Sequence, residues 1–133
     1  MGDRMMSGGP CPRPEANPRN VILVVEDEVL VRMVIAEQLR HAGYHVVEAA
    51  NAHEALQILR HDSDVKLILT DIRMPGTIDG VELARLARSE FPAIKIVLSS
   101  GHLASVDWVE HDGYFRKPYH PRDIISHIKT LLD

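Results

Sequence analysis

Acidic side chains follow two apolar runs of this 133-residue chain, at the point where each run ends. Glu26 and Asp27 come directly after the run 21–25. Asp71 closes the run 67–70. Carboxylates gathered within a few ångströms repel one another, and this raises their pKa values unless a cation lies among them. Mg²⁺ prefers such oxygen ligands and is typically held by one or two carboxylates together with phosphate oxygens. The residue types therefore predict a magnesium site suited to phosphoryl transfer.

Two later segments add polar groups to this candidate site. Ser100 ends a further apolar run, and Lys117 follows the short segment 114–116. A hydroxyl and an ammonium group suit phosphoryl transfer, which depends on positioning and charge neutralisation more than on covalent help from the protein. An aspartate carboxylate is itself a nucleophile that forms an acyl phosphate. Asp71 is the predicted nucleophile.

The elements that must position these side chains alternate between short apolar runs and segments with helical spacing. This alternation predicts an α/β fold with a doubly wound, five-stranded parallel sheet, and the strand order we expect for it is 2-1-3-4-5, the flavodoxin-like order that the family resemblance given below implies. In such sheets ligands bind beyond the carboxyl ends of the strands, where the strand order reverses. The predicted strands are 21–25, 45–49, 67–70, 94–99 and 114–116, and the predicted helices are 31–42, 52–60, 81–90 and 121–132.

Three local signals refine these elements. Gly43 predicts a left-handed end to the first helix, and Asn51 is the predicted N-cap of the second. Residues 101 to about 111 form the whole connection between the fourth and fifth predicted strands, whereas a parallel crossover takes a dozen or more residues. We therefore expect the fourth helix of the fold to be short or irregular.

Composition and charge exclude several classes of protein. With 45% hydrophobic and 26% charged residues, the chain predicts one folded domain over residues 21–133. Residues 1–20 contain four prolines and three glycines, which predict a flexible N-terminal arm. A net charge of −4 disfavours direct contact with nucleic acid. The apolar runs are too short for a membrane span, and Cys11 has no partner for a disulfide, so we expect a cytoplasmic location.

Over residues 21–133 the chain resembles the receiver domain of two-component response regulators, the CheY-like domains. The segment 26–28 is similar to the acidic pair of that family, 69–76 to its phospho-acceptor loop, and 117–118 to its lysine–proline pair. The resemblance implies that Asp71 accepts a phosphoryl group from a histidine kinase or a histidine phosphotransfer protein. It also implies a signalling domain that is not an enzyme, beyond catalysing its own phosphoryl uptake and loss.

The resemblance further implies roles for individual residues and an output through protein–protein contacts. The implied Mg²⁺ ligands are Asp27, Asp71, the backbone carbonyl of Arg73 and, through water, Glu26. The implied phosphoryl contacts are Ser100 and Lys117, with Tyr114 as an aromatic switch residue and Pro118 in a cis peptide bond. Because the segment after Ser100 is short, the chain resembles a subgroup of receivers with a reduced fourth helix. Members of that subgroup occur as single-domain proteins or in hybrid kinases.

Other function classes fit less well. A haloacid-dehalogenase-type phosphatase needs an Asp-x-Asp motif after the first strand, where this chain has Glu26, Asp27 and Glu28. A flavin or dinucleotide site needs a glycine-rich turn at the same place, which is absent. The alternative that stays open is a non-phosphorylated pseudo-receiver that acts as a docking module.

Overall fold

The computed structural model of this chain describes residues 20–62, 64–101 and 109–133. Within these ranges strands and helices alternate as far as the fourth strand, as the hydrophobic pattern predicts, and the fifth strand follows the fourth with no described helix between them. The strands are β1 (Val21–Val25), β2 (His45–Ala49), β3 (Val65–Asp71), β4 (Lys95–Ser100) and β5 (Gly113–Arg116). The helices are α1 (Val29–His41), α2 (Ala52–His61), α3 (Gly80–Glu90) and α4 (Pro121–Leu132). Residues 1–19 of the predicted arm lie outside the described residues.

The five strands form one parallel sheet in the order β2-β1-β3-β4-β5. Numbered along the chain this order is 2-1-3-4-5, so the predicted topology is confirmed. Val25 of β1 lies beside Thr70 of β3, and Asp71 lies beside Ser99 of β4. The carboxyl ends of these three neighbouring strands therefore meet at one edge of the sheet.

Hydrophobic side chains cover both faces of the sheet. All five residues of β1 are buried, because successive side chains of a strand point to opposite faces and both faces are covered. Ile22 packs in one core cluster with Leu39 of α1, and Leu23 packs in the other with Leu83 of α3. Burying a side chain of this size stabilises the fold by about 1.5–3 kcal/mol. The sheet is thus a firm base for the polar groups at its carboxyl edge.

The helix ends carry the local bonds that the sequence predicts. Asn51 Oδ1 accepts a hydrogen bond from the backbone N–H three residues on at 2.9 Å, which confirms it as the N-cap of α2. Gly43 has φ 102°, the left-handed conformation predicted at the end of α1. Asp79 caps α3 in the same way as Asn51 caps α2, so α3 begins at Gly80, one residue before the predicted start. No helix among the described residues is long and apolar enough to cross a membrane.

The connection from β4 to β5 is described only at residue 101 and at 109–112, and these residues contain no helix. The predicted short or irregular fourth helix falls mainly on 102–108, which lie outside the described residues. Val109 is buried against the core cluster that also contains Leu83. The described end of the connection therefore closes over the sheet.

Asp112 fastens this connection to β4 and α3. Its Oδ2 accepts hydrogen bonds from the backbone N–H of Ile96 at 2.8 Å and from Arg88 Nη2 at 3.0 Å. Its own N–H donates to the carbonyl oxygen of Ile96 at 2.6 Å. Hydrogen bonds to charged groups are worth about 1.5–3 kcal/mol each. These contacts set the position of β5, and with it that of the residues that follow β5.

Candidate functional site

The carboxyl edge of the sheet brings Glu26, Asp27 and Asp71 together. Asp71 is the last residue of β3, and Glu26 is the first residue after the neighbouring strand β1. Each of the three acids offers a carboxylate oxygen, and these oxygens lie within 4.8 Å of one another. The structure thus joins acids that lie far apart in the sequence, as their strand-end positions predict.

The three acids differ in exposure. Glu26 is 4% exposed and Asp71 is 8% exposed, whereas Asp27 faces solvent. Burial raises the pKa of Asp71, and the charge of Asp27 adds to this effect while the ammonium of Lys117 opposes it. Burial likewise raises the pKa of Glu26, against the lowering effect of its hydrogen bond from Lys117. When all are ionised, three carboxylates and one ammonium leave an excess of two negative charges, which favours a divalent cation.

Lys117 contacts both buried acids from the end of β5. Its Nζ lies 2.6 Å from Glu26 Oε1 and 3.4 Å from Asp71 Oδ2. Its backbone N–H donates to the carbonyl oxygen of Ser100 at 2.7 Å, and the Lys117–Pro118 peptide bond is cis, as the resemblance implies. Burial lowers the pKa of Lys117, but the hydrogen bond to Glu26 and the charge of Asp71 outweigh burial, so the net change in pKa is upward. A charged ammonium therefore stands beside the predicted nucleophile.

The other predicted site residues surround this cluster. Ser100 ends β4 and is 1% exposed. Arg73, two positions beyond Asp71, has an exposed side chain, and its carbonyl as a metal ligand stays a prediction. Tyr114 lies in β5 beside Leu98 of β4 and packs, half-buried, against the core. Its role as a switch residue also stays a prediction.

The chemistry of the donor set fits a hard divalent cation. Carboxylate oxygens suit Mg²⁺, which keeps several waters in octahedral geometry. The exposed position of Asp27 leaves one side of the cluster open to water and to phosphate oxygens. Zinc and copper sites rely on imidazole or thiolate ligands, and among the described residues neither type belongs to this acidic cluster. The residues present therefore suit Mg²⁺ better than zinc or copper.

Sequence reasoning missed the direct contact of Glu26 with Lys117. The resemblance assigns Glu26 to the metal through water, but in the structure its Oε1 accepts a hydrogen bond from Lys117. Its Oε2 accepts one from the backbone N–H of Glu28 at 3.1 Å. The two residues are 91 positions apart, so no local pattern indicates this pairing. Both oxygens of Glu26 are thus engaged within the protein.

A second missed feature is the contact of Gly80 with the backbone of Asp71. A Cβ atom at residue 80 would lie 1.9 Å from the carbonyl oxygen of Asp71 and 2.8 Å from Cα of Ile72. The N–H of Gly80 donates to the carbonyl oxygen of Ile72 at 2.8 Å. The only feature of the sequence that indicates this contact is the glycine that directly follows Asp79, the N-cap of α3. Gly80 lets the start of α3 pack directly against the end of β3.

A family model of the response regulator receiver domain matches residues 22–129, which include every residue of this site. The chain belongs to the response regulator receiver family. The family resemblance carried by the acidic pair, the acceptor loop and the lysine–proline pair is therefore confirmed. The receiver domain is a signalling domain of two-component systems.

Relatives of this receiver domain include both short and long proteins. It is 35% identical over 116 residues to the response regulator receiver protein CpdR of Brucella abortus, covering 84% of this chain and 95% of CpdR. It is 36% identical over 118 residues to the phosphate regulon transcriptional regulatory protein PhoB of Pseudomonas aeruginosa, covering 84% of this chain and 51% of PhoB. The chain thus spans about half the length of PhoB and of other curated relatives such as BaeR.

Solved structures of other receivers share the fold. The response regulator protein TrrA of Thermotoga maritima, solved in complex with Mg²⁺-BeF, has a TM-score of 0.78 and 32% sequence identity to this receiver domain. The match covers 85% of this chain and 99% of TrrA. The strand order and helix arrangement are therefore those of CheY-like receivers.

Proposed function

We propose that this receiver domain takes a phosphoryl group onto Asp71 from a histidine kinase or a histidine phosphotransfer protein. The observation that carries the proposal is the meeting of Glu26, Asp27 and Asp71 within 4.8 Å, beside the ammonium of Lys117. The complex of the related TrrA with Mg²⁺-BeF supports Mg²⁺ as the cation of this site. Residues that hold a divalent cation and a nucleophile at one edge of a parallel sheet are sufficient for phosphoryl transfer.

The proposed transfer is an in-line displacement at phosphorus. A carboxylate oxygen of Asp71 forms a bond to phosphorus while the bond from phosphorus to the donor's imidazole nitrogen breaks. The imidazole nitrogen keeps the electron pair and takes a proton from water. The products are an acyl phosphate on Asp71 and a neutral histidine on the donor.

Four residues besides Asp71 assist this step. Asp27 and Asp71 would hold the cation together with the backbone carbonyl of Arg73. When bound, Mg²⁺ neutralises charge on the phosphate oxygens. Lys117 already lies 3.4 Å from Asp71 Oδ2, so its ammonium is placed to pair with a phosphoryl group there. Ser100, at the end of the adjacent strand, donates its hydroxyl to the same group.

The proposed output is a change in protein–protein contacts. A phosphoryl group adds roughly −1.5 to −2 charges and three acceptor oxygens, which draw Ser100 and Lys117 inward. Tyr114 follows Ser100, because its strand neighbours the one that Ser100 ends. A coupling of about 1–3 kcal/mol is the scale expected for such a switch. A cytoplasmic location stays a prediction.

An apolar groove beside the site supports a protein as phosphodonor. Leu30 and Val34 of α1 line a cavity of about 560 Å³ together with Lys117, Pro118 and Tyr119. Leu30 is 76% exposed and Val34 is 55% exposed, and with the exposed Val29 and Met33 of the same helix they form an apolar patch of the kind that marks protein interaction sites. The groove continues directly to Lys117, which contacts Asp71. A donor protein that brings its histidine to Asp71 is therefore expected to cover this groove.

Leu30→Ser is expected to slow transfer from a protein donor but not from a small one. Truncating a central anchor of an interface costs more than about 1 kcal/mol of binding, and we expect Leu30 to be such an anchor, so transfer at limiting concentration slows about 5- to 10-fold. The measurement uses the fastest donor in a panel of purified, phosphorylated histidine kinases, with acetyl phosphate as the small donor. Gln57→Ser, at an exposed position of α2 that does not line the groove, is the control. Equal slowing with acetyl phosphate contradicts a docking role for the groove.

Phosphoryl uptake from acetyl phosphate tests the proposed function directly. The native chain is expected to gain a hydroxylamine-sensitive acyl phosphate in the presence of Mg²⁺ and to gain none when a chelator removes the cation, because the crowded carboxylates otherwise repel the phosphate. Phosphorylation is followed by intact-protein mass spectrometry. Absence of uptake from acetyl phosphate, phosphoramidate and the kinase panel would favour the pseudo-receiver docking module.

A further inference from the structure

The cationic side chain of Arg32 holds the backbone of the loop that carries Glu26 and Asp27. Arg32 lies on α1, and its side chain is only 16% exposed. Its Nη1 donates to the carbonyl oxygen of Glu26 at 2.8 Å, and its Nε donates to Glu48 Oε1 at 3.2 Å. One planar guanidinium thus bridges the loop after β1 and a residue of β2.

Residue 26 is held on both sides by these contacts. Its N–H donates to the carbonyl oxygen of Ala49 at 3.1 Å, and its carbonyl oxygen accepts from Arg32. Ala49 and Glu48 are the last two residues of β2, so both anchors belong to the edge of the sheet. The peptide unit that leads into Asp27 is therefore tied to the sheet through Arg32.

This tie matters because the acids themselves repel. Carboxylates held within a few ångströms gain free energy by moving apart, and Asp27 is exposed and free of neighbouring core packing. A divalent cation with octahedral demands binds well only where its ligands are already in place. Groups that orient metal ligands typically change metal affinity by 10- to 100-fold when they are removed. Arg32 is a group of this kind, since its hydrogen bond goes to the backbone of the loop and not to any of the three carboxylates.

We propose that Arg32, itself oriented by Glu48, is a positioning residue that holds the Glu26–Asp27 loop ready for the divalent cation. The inference rests on the proposed function, since it concerns the cation site that phosphoryl transfer uses. The proposal gives a function to the salt bridge between Arg32 of α1 and Glu48 of β2, neither of which is a predicted site residue. The same salt bridge includes a natural control: Arg40 also pairs with Glu48, at 3.1 Å, but donates its other bond to Val46 and not to the acidic loop.

The test is a Mg²⁺ titration of the native chain, Arg32→Met and Arg40→Met, followed by amide chemical shifts of residues 26–28 and 71. Arg32→Met is expected to weaken Mg²⁺ binding about tenfold, and Arg40→Met to change it less than about twofold. Urea unfolding of each variant separates lost affinity from lost stability. Glu48→Ala, which frees the Arg32 head without removing it, is expected to weaken binding about threefold. The double variant of Arg32→Met with Glu48→Ala is expected to bind no worse than Arg32→Met alone, because both changes break one chain of contacts.

The possible outcomes separate this inference from the function on which it rests. Absence of any Mg²⁺-dependent shift in the native chain overturns the proposed cation site, and this inference with it. Native binding that persists unchanged in Arg32→Met overturns the positioning role alone. An equal loss in the Arg32 and Arg40 variants also overturns it, since the effect then belongs to the salt bridge in general. If Arg32→Met does not fold, Glu48→Ala against Arg40→Met makes the same comparison.

Discussion

Replacing Asp71 with asparagine is expected to reduce phosphoryl uptake from acetyl phosphate by more than about 100-fold. The amide preserves the shape of the side chain but offers no anionic oxygen to attack phosphorus. It also removes one of the three carboxylates of the cluster and the ion pair with Lys117. The measurement is the initial rate of acyl phosphate formation in Mg²⁺.

The matched control is Asp79→Asn. Asp79 lies at the start of α3, and asparagine caps a helix as well as aspartate does, so this variant removes a nearby carboxylate without removing the cap. Its uptake is expected to equal that of the native chain. Labelling of Asp71→Asn at the native rate would place the phosphoryl group on another residue.

The same Asp71 variant is expected to be more stable than the native chain when no cation is present. Burial raises the pKa of Asp71, so the folded chain binds its proton more tightly than the unfolded chain does. Ionised Asp71 therefore costs stability at neutral pH, and asparagine is expected to raise the free energy of unfolding by about 1 kcal/mol. As the pH falls through the raised pKa the native carboxyl becomes protonated, and the advantage of the variant shrinks. Urea unfolding with a chelator at several pH values measures this difference.

Gly80→Ala is expected to damage the candidate site through the backbone of Asp71. The added methyl carbon would lie 1.9 Å from the carbonyl oxygen of Asp71, far inside van der Waals contact. Backbone atoms cannot turn aside as a side chain can, so either α3 or the end of β3 must shift. We expect a loss of at least about 2 kcal/mol in the free energy of unfolding, together with weaker Mg²⁺ binding in the molecules that remain folded.

Gly101→Ala is the control for this substitution. In the part of the chain that the structure describes, no heavy atom beyond the chain neighbours lies within 4 Å of the position that a Cβ would take at Gly101, the residue after β4. Its free energy of unfolding is expected to stay within about 0.5 kcal/mol of the native value. Equal stabilities of Gly80→Ala and the native chain would show that the start of α3 does not pack against Asp71 as described.

Periodicity and strand-end chemistry were sufficient to predict the fold and the meeting of the acids. The continuous apolar run of β1 predicts a central strand, and all of its residues are buried. Parallel strands carry their carboxyl ends to one edge, so residues directly after β1 and at the end of β3 must lie near each other. These predictions depend only on local pattern and on the rules of parallel sheets. The observed ends of several elements differ from the predicted ends by one or two residues, because capping residues such as Asp79 determine where a helix begins.

The sequence by itself determined that Glu26, Asp27 and Asp71 meet at the carboxyl edge of the sheet. Only the tertiary structure decided how each of them is held there. It paired Glu26 with Lys117, tied the acidic loop to β2 through Arg32, and set Gly80 against the carbonyl of Asp71. The physical reason is that each of these contacts joins separate elements of the fold. The contacts of 2.6 Å between Lys117 and Glu26 and of 2.8 Å between Arg32 and Glu26 depend on how separate strands, loops and helices pack together, which no local spacing encodes.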